Sequence, residues 1–405
     1  MMKHFLICIV AAFLLASCDF LLPPAPVAED TLAEPLEGLT EAQQANHIQG
    51  DTEFARSFGV ADGLGPMFNA PSCESCHIGD GKGHALTTLI RFGRMNGATF
   101  DPMTAHGGPQ LQNRSIAGYL PETLPTLATG VTRLLPPAVT GLGYLAAVSD
   151  ETLLALADPD DLNGDGISGV PNYDEPPDFF EPLPMHKPLN GRYIGRFGRK
   201  AGAIDLLQQT AAAYRNDMGI TSDFIMQDLA NVQTGAFTGD NVPDPEVSAS
   251  VVRNVVFYLR TLKAPPRRNA NATDVKAGEQ IFARIGCAGC HVPTLKTGAS
   301  DIAVLNEVEF HPYTDLLLHD MGAELDDKYT EGSAKTAEWR TTPLWGVGLS
   351  AQSQGGAATY LHDGRARTLP EAIQAHGGEA SRSRTRFNAL TGSEKQQLIT
   401  FLQSL

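Results

Sequence analysis

Two short stretches place cysteine, two intervening residues, cysteine and histidine in a row: PSCESCH at 71–77 and GCAGCH at 286–291. Three chemistries use a Cys-x-x-Cys pair: a redox dithiol, half of a zinc site, or covalent attachment of c-type haem. A dithiol needs no adjacent histidine and usually sits in a βαβ pattern, which neither motif shows. Zinc would require both pairs to meet in one all-thiolate site, leaving two histidines unexplained. Haem attachment uses every residue: two thiols on one turn add across two vinyl groups, and the neighbouring imidazole reaches the iron from the same face. The repeat therefore points to two covalent haems, one on Cys73, Cys76 and His77, the other on Cys287, Cys290 and His291.

Haem of this type is attached outside the bacterial cytoplasm, so an export signal is expected. The chain opens MMKHFLICIVAAFLLASCDF. Lys3 supplies a positive start, Phe5 to Leu15 an apolar run too short for a comfortable membrane span, and Leu15-Ala16-Ser17-Cys18 a lipobox. This predicts a lipoprotein signal peptide over 1–17 and a lipidated Cys18 as mature N-terminus, in place of an ordinary cleaved signal. Cys8 leaves with the signal, so no mature cysteine is left for a disulfide. Residues 18–47, rich in proline and acid, read as a flexible spacer. The remaining composition fits a soluble body held in the envelope, facing the periplasm, by that lipid alone. Thirty basic against 46 acidic residues, a net charge of −16, argue against nucleic acid or anionic lipid as partner.

The elements that must hold the haems are legible around each motif. Gly278 and Phe282 lie four apart on one face of a short helix before Cys287. At the C-terminus Ser393 and Gln396 form a capping box, followed by a stripe of Leu398, Phe401, Leu402 and Leu405. A helix carrying glycine and an aromatic, then Cys-x-x-Cys-His, then a closing apolar helix resembles the cytochrome c fold. The first half repeats it loosely: Phe68 precedes Cys73 by the spacing of Phe282 to Cys287. Val251, Val255, Tyr258, Leu259 and Leu262 share one face of 246–262. The expected fold is mainly α: a first cytochrome c-like domain over 48–262, enlarged by a long loop-rich insertion, a linker at 263–272, and a second such domain over 273–405.

Further motifs follow in order: LGPMFNAPSCESCH, GGPQLQ, GLGYL, DPDDLNGDGISG, GRFGRKA, DMGITS, YTDLLLHDMG, TTPLWGVG and YLHDGRARTLPEAI. From about Ala55 to Leu405 the chain resembles the di-haem oxidoreductase family of peroxidase-like proteins, relatives of bacterial di-haem cytochrome c peroxidase and of the haem enzyme that matures methylamine dehydrogenase. Some members carry the label thiol oxidoreductase, which fits poorly where thioether bonds consume the sulfurs. The resemblance implies one haem with an accessible iron where peroxide is cleaved and a second that stores and relays an electron. It also implies that the second haem's distal ligand follows the HDG…TLPEA stretch, which places His376 there. His362 and Met321 are the rivals.

For the first haem, His77 is the expected proximal ligand, with His84 and His106 as distal candidates. Peroxide cleavage needs a group that moves a proton from the inner to the outer oxygen; His106, Gln110 and Glu122 are the candidates. In DPDDLNGDGISG, Asp161, Asn163 and Asp165 give alternating oxygens and a turn glycine, as in a calcium loop, without the Glu at the twelfth position. An Asp/Asn/Gly turn is the plainer reading. Two functions follow: a di-haem peroxidase fed by a small cytochrome or cupredoxin, or a di-haem electron carrier without a substrate site. They differ in whether the first haem keeps an open position.

Overall fold

The computed structural model describes residues 32–405, apart from 98, 236–238 and 241. The signal peptide, Cys18 and the start of the spacer lie outside the described residues. Six helices frame the site: α1 Glu41–Ala55, α2 Leu206–Ala213, α3 Ala249–Thr261, α4 Thr273–Ile285, α5 Leu369–Gln374 and α6 Gly392–Ser404.

Helices α4 and α6 cross backbone to backbone because Gly278 lets them. A Cβ there would stand 2.1 Å from the Gln397 carbonyl oxygen and 2.6 Å from the Phe401 Cβ. The inward face of α4 holds Val275, Gly278, Ile281, Phe282 and Ile285. It meets Leu398 and Phe401, both fully buried, and Phe282 packs edge-on against Phe401 at 5.3 Å. Each such burial contributes roughly 1.5–3 kcal/mol. The capping box of α6 sits two residues before the expected one: Thr391 caps, with Glu394 at its third position, so Ser393 falls inside the first turn. Thr-Gly-Ser-Glu and Ser-Glu-Lys-Gln both match the pattern, and the acidic member at the helix start wins.

The first half builds the same crossing from α1 and α3. Gly50 is its Gly278: a Cβ would lie 2.2 Å from the Asn254 carbonyl and 2.7 Å from the Tyr258 Cβ. Phe54, four residues on, packs on Tyr258 at 5.4 Å. Phe68 does not play this part; it belongs to a two-residue strand, Met67–Phe68, paired with Arg114–Ser115. Helix α1 starts under a full capping box of Thr40 and Gln43. The spacer expected to reach residue 47 therefore ends earlier, and Leu36 and Leu39 are already buried against Ile302 and Leu305. On α3 the buried face is Val252, Val255, Tyr258 and Leu259, with Val251 only partly covered.

Between Cys76 and α3 lies the long insertion. It carries a three-stranded antiparallel sheet, β1 Leu89–Asn96 flanked by β2 Thr99–Asp101 and β3 Gly130–Leu134. The Gly107–Gln112 stretch runs along β1, with Gln110 bridged to Arg91. Helix accounts for 34% of residues and strand for 13%, so helix outweighs strand but turns and loops make up the larger part. The larger core takes Leu295, Phe310, Leu316 and Leu317 from beyond the linker. The halves share packing.

Candidate functional site

Both Cys-x-x-Cys-His motifs fold as one tight turn, with His77 N–H bonded to Cys73 O and His291 N–H to Cys287 O, each at 3.0 Å. The four motif cysteines form no disulfide. Burial pushes Cys73, Cys76 and Cys287 up to about 12 and also raises Cys290, so none is the exposed, acidified thiol that a dithiol oxidoreductase needs. Both motifs line one cavity of about 680 Å³.

The two motif histidines are set in the same way. His77 Nδ1–H donates to the Pro137 carbonyl at 2.8 Å, and His291 Nδ1–H to the Tyr313 carbonyl at 3.0 Å. Burial pushes both imidazoles down to about 4. Each is a neutral ring with its tautomer fixed and its Nε2 lone pair available, the form that ligates a metal. The same arrangement supports both from behind: Phe54 lies 6.1 Å from the His77 ring, and Phe282 6.3 Å from that of His291. The carbonyl that orients His291 belongs to Tyr313, itself wedged against Phe282 and Phe401.

A third histidine shares this pattern. Thr368 caps α5, and His376 follows its end with Nδ1 2.7 Å from the Ala372 carbonyl. Burial lowers its pKa. Its ring centroid is 6.5 Å from that of His291, close to the span of two imidazoles bound to one ion through nitrogens about 2 Å away on opposite sides. His362 is engaged otherwise: its Nε2 meets Asp327 at 2.9 Å and its ring stacks on Trp339 at 3.6 Å. Met321 lines the cavity.

The sequence reading passed over His319, in the LLLHDMG motif. It is 2% exposed, and its two nitrogens contact Asp315 and Glu379, each at 2.8 Å. Its Nδ1 is also 3.6 Å from Cys290 Sγ. Hydrogen bonds to Asp315, Cys290 and Glu379 outweigh desolvation and hold its pKa well above the ordinary histidine range. Glu379 also accepts from Ser168 N–H and Oγ–H.

Around the first motif the candidates separate. Gln110 is buried in the cavity wall. Its Nε2 donates to Asn69, the Asn216 carbonyl and Asp217, and its Oε1 has no partner. Glu122 is buried one layer behind. It accepts from Gln112 N–H at 2.9 Å, abuts Gly107, and desolvation pushes it up to about 7. Neither His84 nor His106 is in the cavity wall. His84 caps a short turn through Leu86 N–H, and His106 is half-exposed with its carbonyl bonded to Gln233. Asp161, Asn163 and Asp165 accept backbone N–H groups of Gly166, Asp165 and Ile167, the turn-forming use of such side chains.

Among the cations in the cavity wall, Lys82, Arg199 and Arg340 form no salt bridge with a described carboxylate. Arg199 donates to the Leu135 carbonyl, Arg340 to the Gly198 carbonyl. Desolvation pushes Lys82 down to about 7, Arg199 to about 9 and Arg340 to about 10, and repulsion from Arg199 adds to the shift of Lys82 and repulsion from Arg340 to that of Arg199. Buried cations of this kind call for anions. Four thiols, three neutral imidazoles and three unpaired cations fit two haems, with vinyl groups, iron and propionate carboxylates respectively. Both tryptophans of the chain, Trp339 and Trp345, line the same cavity.

A family model described as "Di-haem oxidoreductase, putative peroxidase" matches residues 27–94 and 130–405. No curated protein matches the chain. Among solved structures, hydrazine synthase of Kuenenia stuttgartiensis is 16% identical over 95% of this chain and 96% of its own, with a TM-score of 0.38. The di-haem peroxidase BthA of Burkholderia thailandensis is 15% identical over 94% and 88%, with a TM-score of 0.42. A MauG-like protein associated with microbial copper homeostasis is 15% identical over 66% and 89%, with a TM-score of 0.32.

Proposed function

The chain belongs to the di-haem oxidoreductase family, and from that premise we propose that it is a c-type peroxidase: electrons enter at the haem of the second motif and peroxide is reduced at the haem of the first. One observation carries this reading. His291 has an imidazole facing it across the cavity, His376, whereas neither histidine candidate for the far side of His77 reaches the cavity wall. On this reading the second site is closed on both sides and the first is open on one.

The haems, when bound, supply the electron storage and the iron at which an O–O bond can be broken. The chain does the rest. Cys73, Cys76, Cys287 and Cys290 hold the groups by thioether bonds, and His77, His291 and His376 present Nε2. Lys82, Arg199 and Arg340 neutralise propionates. Gln110, a polar side chain in the cavity wall, is the proposed group that orients peroxide. Glu122 keeps the Gly107–Gln112 loop in place and, with a pKa near 7, holds a proton in reserve behind it. His106, outside the wall, has no part in this scheme. A small cytochrome or cupredoxin is the proposed donor, and a lipid on Cys18 the proposed anchor at the periplasmic face of an envelope membrane.

The test is peroxide consumption by the fully loaded protein with a reduced small-protein donor, alongside spectra taken with and without peroxide. Turnover with a change confined to one haem is expected. No turnover, with neither spectrum altered by peroxide, would leave an electron carrier. Cys18→Ala should release the protein from membranes; unchanged membrane association would remove the lipid from the account.

A further inference from the structure

The turn that carries His376 continues as Gly377, Gly378 and Glu379, and it lies directly on the segment 320–322. A Cβ on Gly378 would stand 2.0 Å from the Asp320 carbonyl oxygen, and one on Gly377 2.7 Å from that of Met321. From the facing side, a Cβ on Gly322 would stand 2.7 Å from the Gly378 nitrogen. Gly378 and Gly322 also hold positive φ, +49° and +80°, which glycine adopts without steric cost. Backbone meets backbone here.

Glu379 then locks the contact. Its Oε1 accepts from Asp320 N–H at 3.0 Å and Ser168 Oγ–H at 2.7 Å, and its Oε2 from Ser168 N–H at 3.0 Å. Oε2 also meets His319 Nδ1 at 2.8 Å, and the other nitrogen of that ring meets Asp315 at 2.8 Å. The anchors are themselves held. Residues 318–320 pair antiparallel with 338–340, and Leu318 bridges to Val170. Ser168 lies near the end of the DPDDLNGDGISG stretch, which closes on itself through Asp158 N–H to Ser168 O at 2.7 Å. Its neighbour Ile167 lines the cavity and would meet a Cβ on Gly289, between the two cysteines of the second motif, at 2.5 Å.

Three separate segments, 158–169, 315–322 and 376–379, thus converge on one carboxylate. Groups that hold a ligand from behind fix its orientation toward the metal. Given His376 as the sixth ligand of the second haem, as proposed above, we propose that Glu379 is its positioning residue: held by His319, Ser168 and Asp320, it fixes the turn from which His376 reaches the iron. The LLLHDMG and DPDDLNGDGISG stretches, which peroxide chemistry leaves idle, supply the groups that hold it. A ligand on a turn competes for the metal only in the fraction of molecules where the turn is in place, so loosening the turn admits an outside ligand.

The experiment uses the oxidised di-haem protein, with electron paramagnetic resonance reading the second haem and the alkaline pyridine complex confirming two haems per chain. Glu379→Ala should lose at least half of the low-spin signal that His376→Gly abolishes, and take up one imidazole more per chain than wild type. Glu379→Gln keeps the size of the side chain and one acceptor, and so covers the case in which Glu379→Ala fails to load haem. At its second haem it should bind added imidazole at least tenfold more tightly than wild type. Signals and imidazole uptake equal to wild type in both variants, with the signal still abolished in His376→Gly, overturn the positioning role alone. A low-spin signal that survives His376→Gly overturns the ligand reading and the positioning role with it. A signal lost in Glu379→Ala without extra imidazole uptake marks general disorder of the haem site and overturns the positioning role as well.

Discussion

Position 376 decides what the second haem can be. Imidazole donates more strongly than thioether and so favours ferric iron. His376→Met should raise the midpoint potential of that haem by on the order of 0.1 V, well inside the roughly 0.8 V that axial ligands span. His376→Gly should give it a high-spin signal in redox-monitored spectra; unchanged spectra would return the role to Met321. Gln110→Leu should lower peroxide turnover about a hundredfold with both haem spectra intact, a typical loss for one polar group acting at a reacting centre. Glu122 yields a stability prediction with a definite sign. Its folded pKa, about 7, is raised above the ordinary 4.5 by burial. The stability it contributes is therefore complete below about 4.5 and is lost as pH rises through 7. Glu122→Gln keeps an acceptor for Gln112 N–H and removes the charge, so it should melt with wild type at pH 4 and above it at pH 8. The gain at pH 8 is at most about 3 kcal/mol, read from denaturant unfolding at the two pH values.

The helix crossings are where sequence and structure agree best, and where the difference over Phe68 is instructive. Gly278 and Phe282 were legible because helical spacing puts them on one face just before the motif, and the glycine meets backbone across the crossing. The same seven-residue pattern, Gly-x-x-x-Phe-Ala-Arg, recurs at 50–56, but it stands further from its cysteines. Spacing to Cys73 led to Phe68 instead, and the intervening loop hid the true helix. The spacer was misjudged for a related reason: proline and acid dominate 23–47, and the two leucines that anchor 36–39 are too few to show as periodicity. Gln110 and Glu122 could be named from sequence but not ranked, since their depth depends on pairings such as Gln110 with Arg91 across the insertion. His319 went unnoticed because Cys290 and Glu379, which meet its Nδ1, lie 29 and 60 residues away. At this scale the prediction concerns glycine. Gly50→Ala or Gly278→Ala should each destabilise by about 1–3 kcal/mol, the usual cost of overpacking, measured by denaturant unfolding. A cost near zero would mean that the helices do not cross this closely.

At the scale of the whole molecule, the two halves are not independent modules. Leu295, Phe310, Leu316 and Leu317 belong to the core that Phe54, Val255 and Tyr258 build, and one cavity receives both motifs. A fragment of residues 263–405 should therefore expose those four side chains, bind a hydrophobic dye and unfold without cooperativity, in contrast to the intact chain; a cooperative, dye-free fragment would contradict the shared core. That coupling suits the proposed function, in which two haems work together, one closed by two imidazoles and one open. The most direct test of that claim is electron paramagnetic resonance of the oxidised protein, with haem quantified as the alkaline pyridine complex. The account predicts two c-type haems per chain, one low-spin signal lost in His376→Gly and one high-spin signal altered by peroxide. Two low-spin signals indifferent to peroxide, or a mature protein with a titratable dithiol at either motif, would contradict it.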